Sequence, residues 1–260
     1  MLTRLVRWRD RFAPRAVVGD AEWDAVLAGS ALFARLSGPD RAALRALVGR
    51  FLARKRFSAA GGHPLTREQQ LAIAALACLP VLHLGFEWLA GWREVIVYPG
   101  GFRVRREHHD EHSGVVTEGD DELIGEAWER GPLILSWADV ATDLAQPFDG
   151  FNLVVHEIAH KLDLLDGAFN GVPRLPPQLA RSDWLAAMQP AYDALRRAVE
   201  RGRRTLIDPY AADSVDEFFA VTSELHFSDP PVLRRAAPAV AGMLERFYGP
   251  RPVAVAPVAR

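Results

Sequence analysis

Apolar residues recur at helical spacing through the first third of the chain. Between Ala21 and Leu36 they fall at Trp23, Val26, Leu27, Leu32, Phe33 and Leu36, the rhythm of a helix with one buried face. Gly38-Pro39 interrupts that rhythm and Arg41 to Phe57 resumes it. Thr66 followed by Gln69 resembles the start of a third helix, in the form of a capping box. Leu71 to Leu82 is the longest apolar run; it is too short to span a bilayer and carries Pro80, so it reads as a buried, kinked helix. The opening stretch with Leu2, Leu5, Val6, Trp8 and Phe12 reads as a helix docked on its own domain rather than a membrane anchor, because anchoring usually needs a second signal.

From Arg93 the pattern changes to short strand-like pieces: Val95-Ile96-Val97-Tyr98, Phe102 to Arg106, Gly114 to Thr117 and Leu133-Ile134-Leu135. Pro99-Gly100-Gly101 and Gly131-Pro132 read as turns between them. Helical patterns return at Phe151 to Leu165, Ser182 to Glu200, Ser214 to Phe227 and Pro231 to Phe247. The order predicts an α+β fold with a small, mostly antiparallel sheet and an N-terminal helical region. The expected division is a helical region over 1–92 packed on a catalytic domain over 93–248, with a flexible tail over 249–260.

Charge narrows the function classes. With 31 basic and 33 acidic residues the net charge is -2, which provides no global basic field and disfavours nucleic acid as a direct partner. Cys78 is the single cysteine, so no intramolecular disulfide can form. That, and the lack of a signal-peptide pattern at the N-terminus, leads us to expect a cytoplasmic protein without a membrane span.

The chemistry is concentrated in His156-Glu157-Ile158-Ala159-His160. Two histidines four apart lie on one face of a helix, one turn from each other, and can bind one zinc ion. Glu157 between them is suited to act as general base toward a zinc-activated water. Leu153, Val154, Val155, Ile158, Ala159, Leu162, Leu164 and Leu165 surround the motif, so the helix belongs inside the protein, where unpaired imidazoles would cost several kcal/mol. Lys161 is the exception and is expected to face solvent.

A catalytic zinc usually has a third protein ligand. Asp166 lies six residues after His160, as in metzincin-type sites, but Asp163 stands where those sites need a glycine. Glu217 and Glu224, seven apart on the helix Ser214 to Phe227, share a face and could complete the set from a second helix. Ser214 and Glu217 also form a capping-box pattern, so residue spacing leaves the third ligand open.

Several segments resemble, in order, the Mlc titration factor A family of bacterial zinc peptidases. They include His156 to Asp163 with Gly167 and Gly171-Val172-Pro173, then Asp208-Pro209-Tyr210-Ala211-Ala212, then Glu217-Phe218-Phe219-Ala220-Val221 with Ser223-Glu224. Upstream, Ala77-Cys78-Leu79-Pro80, Tyr98-Pro99, Gly125-Glu126-Ala127-Trp128 and Gly131 to Trp137 also match, so the likeness runs from about Leu47 to Tyr248. The Tyr-Ala-Ala and Glu-Phe-Phe-Ala pieces are similar to the catalytic domain of anthrax lethal factor. The resemblance implies a gluzincin-like fold, Zn2+ held by His156, His160 and Glu217, Glu157 as base, and Tyr210 near the metal as an oxyanion donor. It implies an aminopeptidase-like enzyme acting on peptide substrates. It also implies a second role, since the family is named for sequestering Mlc, a DNA-binding transcriptional repressor of glucose-uptake genes. A regulatory protein-binding module with hydrolysis secondary or absent is the alternative. The stretch Asp213-Ser214-Val215-Asp216 departs from the family's proline-containing turn.

Asp163 falls on the His160 face and is a candidate for orienting a ligand or a loop, as is Glu224 for supporting the ligand set. A cap or salt bridge at the helix end is the plainer role for Asp163. His108, His109 and His112 with Asp110 and Glu111 read as a solvated loop rather than a second metal site, since nothing fixes their geometry. Arg201 to Arg204 reads as a solvated helix end. Leu133 to Ser136 is either an edge strand able to pair with an extended peptide or an interior strand.

Overall fold

The computed structural model describes residues 15–100 and 131–249. The expected strands Phe102 to Arg106 and Gly114 to Thr117, the His108–His112 cluster, the opening helix and the tail from Pro250 lie outside the described residues.

The N-terminal apolar rhythm becomes α1 (Asp20–Gly29), the single turn α2 (Ala31–Ala34) and α3 (Gly38–Arg54). Ser30 and Ser37 cap α2 and α3, which is why the first pattern divides where it does. The Thr66–Gln69 capping box is present and opens α4 (Arg67–Cys78), whose residues from Ile73 to Cys78 are all fully buried. The helix ends before Pro80, which lies in the turn that follows and does not kink it.

A strand stands where the helical pattern had been read on through Phe57. Among the described residues β1 (Arg56–Ala59), β2 (Glu94–Tyr98) and β3 (Leu133–Ser136) form a three-stranded sheet in the order β1-β2-β3. Both pairings are parallel, with Arg56 opposite Glu94 and Val95 opposite Leu133. The expected antiparallel arrangement is therefore wrong. It took Pro99-Gly100-Gly101 for a turn between strand-like pieces, whereas the chain leaves β2 on a connection of more than 30 residues before β3, and β1 reaches β2 through α4. Connections of that length are what parallel pairing requires. β1 itself reads Arg-Phe-Ser-Ala, with both ends exposed and no buried residue, so it carries no alternation to betray it.

After the sheet come α5 (Trp137–Ala145), α6 (Leu153–Asp163), α7 (Arg181–Glu200), α8 (Val215–Ser228), α9 (Pro230–Ala236) and α10 (Pro238–Tyr248). α5 had no counterpart in the sequence reading. α6 is the central helix: it packs most extensively on α8 and also touches α4, α5 and β3. An aromatic cluster closes the core behind it, with Trp184 edge-on to Phe219 and Phe247, and Trp88 edge-on to Phe247. Among the described residues no helix is long and apolar enough to cross a membrane.

Candidate metal centre

The helix that carries the histidines is held at its N-terminus by three side chains from three elements. Asn152 is the N-cap, and its side-chain oxygen accepts from Val155 N–H at 2.9 Å. Asp143 on α5 accepts from Leu153 N–H at 2.7 Å. Glu224 on α8 accepts from Asn152 N–H at 2.7 Å. Donors that would otherwise be buried without partners are thus satisfied. The carboxylates also suit the positive end of the helix dipole. Burial raises the Asp143 carboxyl to about 7, with the Leu153 N–H opposing and the negative charge of Glu224 adding to the rise.

On this helix His156 is buried, His160 and Glu157 are half-buried, and Glu217 reaches both histidines from the first turn of α8. His156 Nε2 lies 3.0 Å from His160 Nε2 and 3.2 Å from Glu217 Oε2; His160 Nε2 lies 3.5 Å from Glu217 Oε1. A tetrahedral zinc with bonds of 2.0–2.1 Å separates its ligands by about 3.3 Å, so the three donors fit one ion. They lie within 4.8 Å of one another. Glu217 Oε2 is buried without a hydrogen bond among the described residues. Burial raises the Glu217 pKa, but the two imidazoles outweigh it and hold the carboxyl below its usual range, so the side chain is anionic at neutral pH.

The second nitrogen of each imidazole has a different setting. His156 Nδ1 is 2.8 Å from Glu224 Oε1, which fixes the ring with Nδ1–H donating and Nε2 unprotonated toward His160 and Glu217. Glu217 and Glu224 therefore bracket His156, one at each nitrogen. His160 Nδ1 has no hydrogen-bond partner among the described residues; the Asp216 carboxylate is 3.9 Å away. Tyr210, in the helical turn Pro209–Ala212 capped by Asp208, donates its hydroxyl to Glu217 Oε1 at 2.6 Å.

Asp163 does not touch the histidines. Its Oδ2 accepts from Asn170 N–H at 3.0 Å and Gly171 N–H at 2.9 Å, tying the loop after the helix back onto it. Burial raises its carboxyl to about 6 against the pull of those two donors. Gly171 is needed there: its φ is +67° and a Cβ would collide with the Val215 carbonyl at the start of α8. Asp166 is exposed in the turn after α6. Ser214 does cap α8, accepting from Glu217 N–H at 3.3 Å, while the Glu217 carboxylate is turned to the histidines. Lys161 does not stand free in solvent; it is half-buried and donates to Gly131 O at 3.0 Å. Asp143 was missed because its only mark in the sequence is an acidic residue in an unrecognised helix.

Two imidazoles and a carboxylate converging around a glutamate-bearing helix define a zinc metallopeptidase. The comparisons agree: the family model described as glucose-regulated metallo-peptidase M90 matches residues 5–249, and the chain belongs to that family. It is 40% identical over 244 residues to Mlc titration factor A of Klebsiella pneumoniae, covering 91% of this chain and 89% of the relative. An uncharacterized protein of Synechocystis is 37% identical over 228 residues, covering 87% and 82%. Mlc titration factor A of Yersinia pestis is 37% identical over 238 residues, covering 90% and 86%.

Proposed function

We propose that His156, His160 and Glu217 hold the zinc ion, that Glu157 is the general base, and that the enzyme acts as an aminopeptidase on short peptides. The observation that carries this reading is the convergence of the three donors within 4.8 Å on α6 and α8. Zinc bound there supplies a Lewis acid for a peptide carbonyl and a nucleophilic water at neutral pH. Glu157 takes the proton of the attacking water and delivers it to the leaving amine. The Tyr210 hydroxyl, 2.6 Å from Glu217 Oε1, is available to turn toward the oxygen that gains charge. Glu224 positions His156, and Asp163 positions the loop at the end of the helix. The exopeptidase form rests on the family resemblance.

The test is Glu157→Gln in the full chain, with zinc content and turnover of aminoacyl substrates measured together. Zinc retained with hydrolysis abolished is the expected result; turnover surviving in the variant would remove Glu157 from the mechanism. The name of the Klebsiella and Yersinia relatives supports a second role, binding of an Mlc-like DNA-binding repressor. Such binding should survive Glu157→Gln, and a complex lost with the hydrolysis would count against it. The single cysteine, Cys78, is free and buried, which supports a cytoplasmic location.

A further inference from the structure

Phe169 is 49% exposed, one of the large apolar side chains that the described residues leave open to solvent. Its ring meets the ring of His160 edge-on, with centroids 6.1 Å apart and planes at 73°. Tyr210 lies near the other imidazole, its ring 6.5 Å from that of His156. The two imidazoles are therefore flanked by one aromatic each, but only Tyr210 carries a polar group that the reaction can use.

The backbone behind Phe169 is fixed with more care than an exposed loop needs. Asp163 holds the amides of Asn170 and Gly171, Asn170 Oδ1 accepts from Val172 N–H at 2.9 Å, and Gly171 O accepts from Trp184 Nε1–H at 2.8 Å. Gly171 is also pressed against the Val215 carbonyl two residues before Glu217. The loop is thereby clamped to both ligand-bearing helices while its aromatic side chain stays half open. A rigid, half-exposed ring beside a reactive centre is suited to receive an apolar group without paying to order itself.

We propose that Phe169 is a specificity-determining residue, forming the wall of a subsite that takes a bulky apolar side chain next to the scissile bond. This rests on the peptidase reading. The substrate class that follows is peptides with leucine-like or aromatic residues at that position, in preference to those with alanine.

The test measures binding separately from turnover. Zinc-loaded Glu157→Gln protein, with and without Phe169→Ala, is titrated with short peptides that differ by alanine, leucine or phenylalanine on either side of the bond. Selectivity of about tenfold for the bulky residue is expected, in line with what modest changes in apolar contact achieve. Phe169→Ala should reduce it to about twofold or less, with zinc content and alanine-peptide binding unchanged, and Phe169→Leu should keep most of it. In the active protein the same change should appear in KM rather than kcat. Selectivity that survives Phe169→Ala overturns the proposal and leaves the peptidase reading intact. A variant that loses zinc and weakens all peptides equally also overturns it, making the ring a shield for His160. Zinc-loaded protein that binds no peptide at all overturns both.

Discussion

Glu224 is the residue whose removal should separate metal affinity from chemistry. It is 1% exposed, it accepts from His156 Nδ1 at 2.8 Å and from Asn152 N–H at 2.7 Å, and it sits on α8, a different helix from both partners. Glu224→Ala strands two buried donors, each costing about 1–3 kcal/mol, so the metal-free protein should lose about 2–6 kcal/mol of stability. Glu224→Gln is the gentler change. Its amide oxygen satisfies one donor and its NH2 faces the other, so about half of that loss is expected. In Glu224→Ala His156 loses the acceptor that fixes its tautomer, and zinc affinity should fall about 10–100-fold, as for other partners of metal-bound histidine; Glu224→Gln, which can keep its amide oxygen on Nδ1–H, should fall less. Chelator competition reads the affinity, and denaturant unfolding of the metal-free protein reads the stability. Glu224→Ala with unchanged zinc affinity would refute the assignment of Glu224 as the orienting group of His156, whatever it did to stability.

Two further outcomes can be checked with the same preparations. The Asp143 carboxyl is raised in the fold to about 7 from an ordinary 3.8, so between those pH values the folded chain binds more protons than the unfolded one. Stability should therefore fall as pH rises from about 4 to 7, by about 4 kcal/mol at most. Asp143→Asn, which keeps an acceptor for Leu153 N–H, should flatten that dependence in urea unfolding of the metal-free protein, and an unaltered profile would count against it. Gly171→Ala combines a left-handed φ of +67° with a collision against the Val215 carbonyl, and should lose more than about 1 kcal/mol by thermal unfolding. An unchanged melting temperature would mean that the loop is not clamped to α8.

What the sequence disclosed follows from how local each signal is. The α6 motif needs only four-residue spacing and a helix, so His156, Glu157 and His160 could be read directly. The caps at Thr66 and Ser214 were visible for the same reason, because a capping box closes within one turn. Glu217 and Glu224 share a face of α8, and spacing alone could not tell which meets Nε2 of His156 and which meets Nδ1. That distinction is made by the packing of α8 on α6. β1 was hidden because Arg-Phe-Ser-Ala gains its strand form from pairing with β2 rather than from its own pattern. Strand direction was misjudged because Pro99-Gly100 signals a turn without saying where the chain goes next. Phe169 gave no sign, since an isolated aromatic in a loop acquires meaning only beside His160.

The parallel sheet also sets the range of the contacts that folding must make. Arg56 pairs with Glu94 and Val95 with Leu133, a separation of 38 residues in each case. Closing each of these loops costs about 3 kcal/mol of chain entropy before any strand contact forms. Contacts of that range slow folding, whereas the two histidines are already one turn apart when α6 forms. Zinc held by the proposed ligands would crosslink α6 to α8 and would do nothing to bring the strands together. The ion should therefore act on the lifetime of the native state, slowing unfolding while the refolding rate stays as it is without metal.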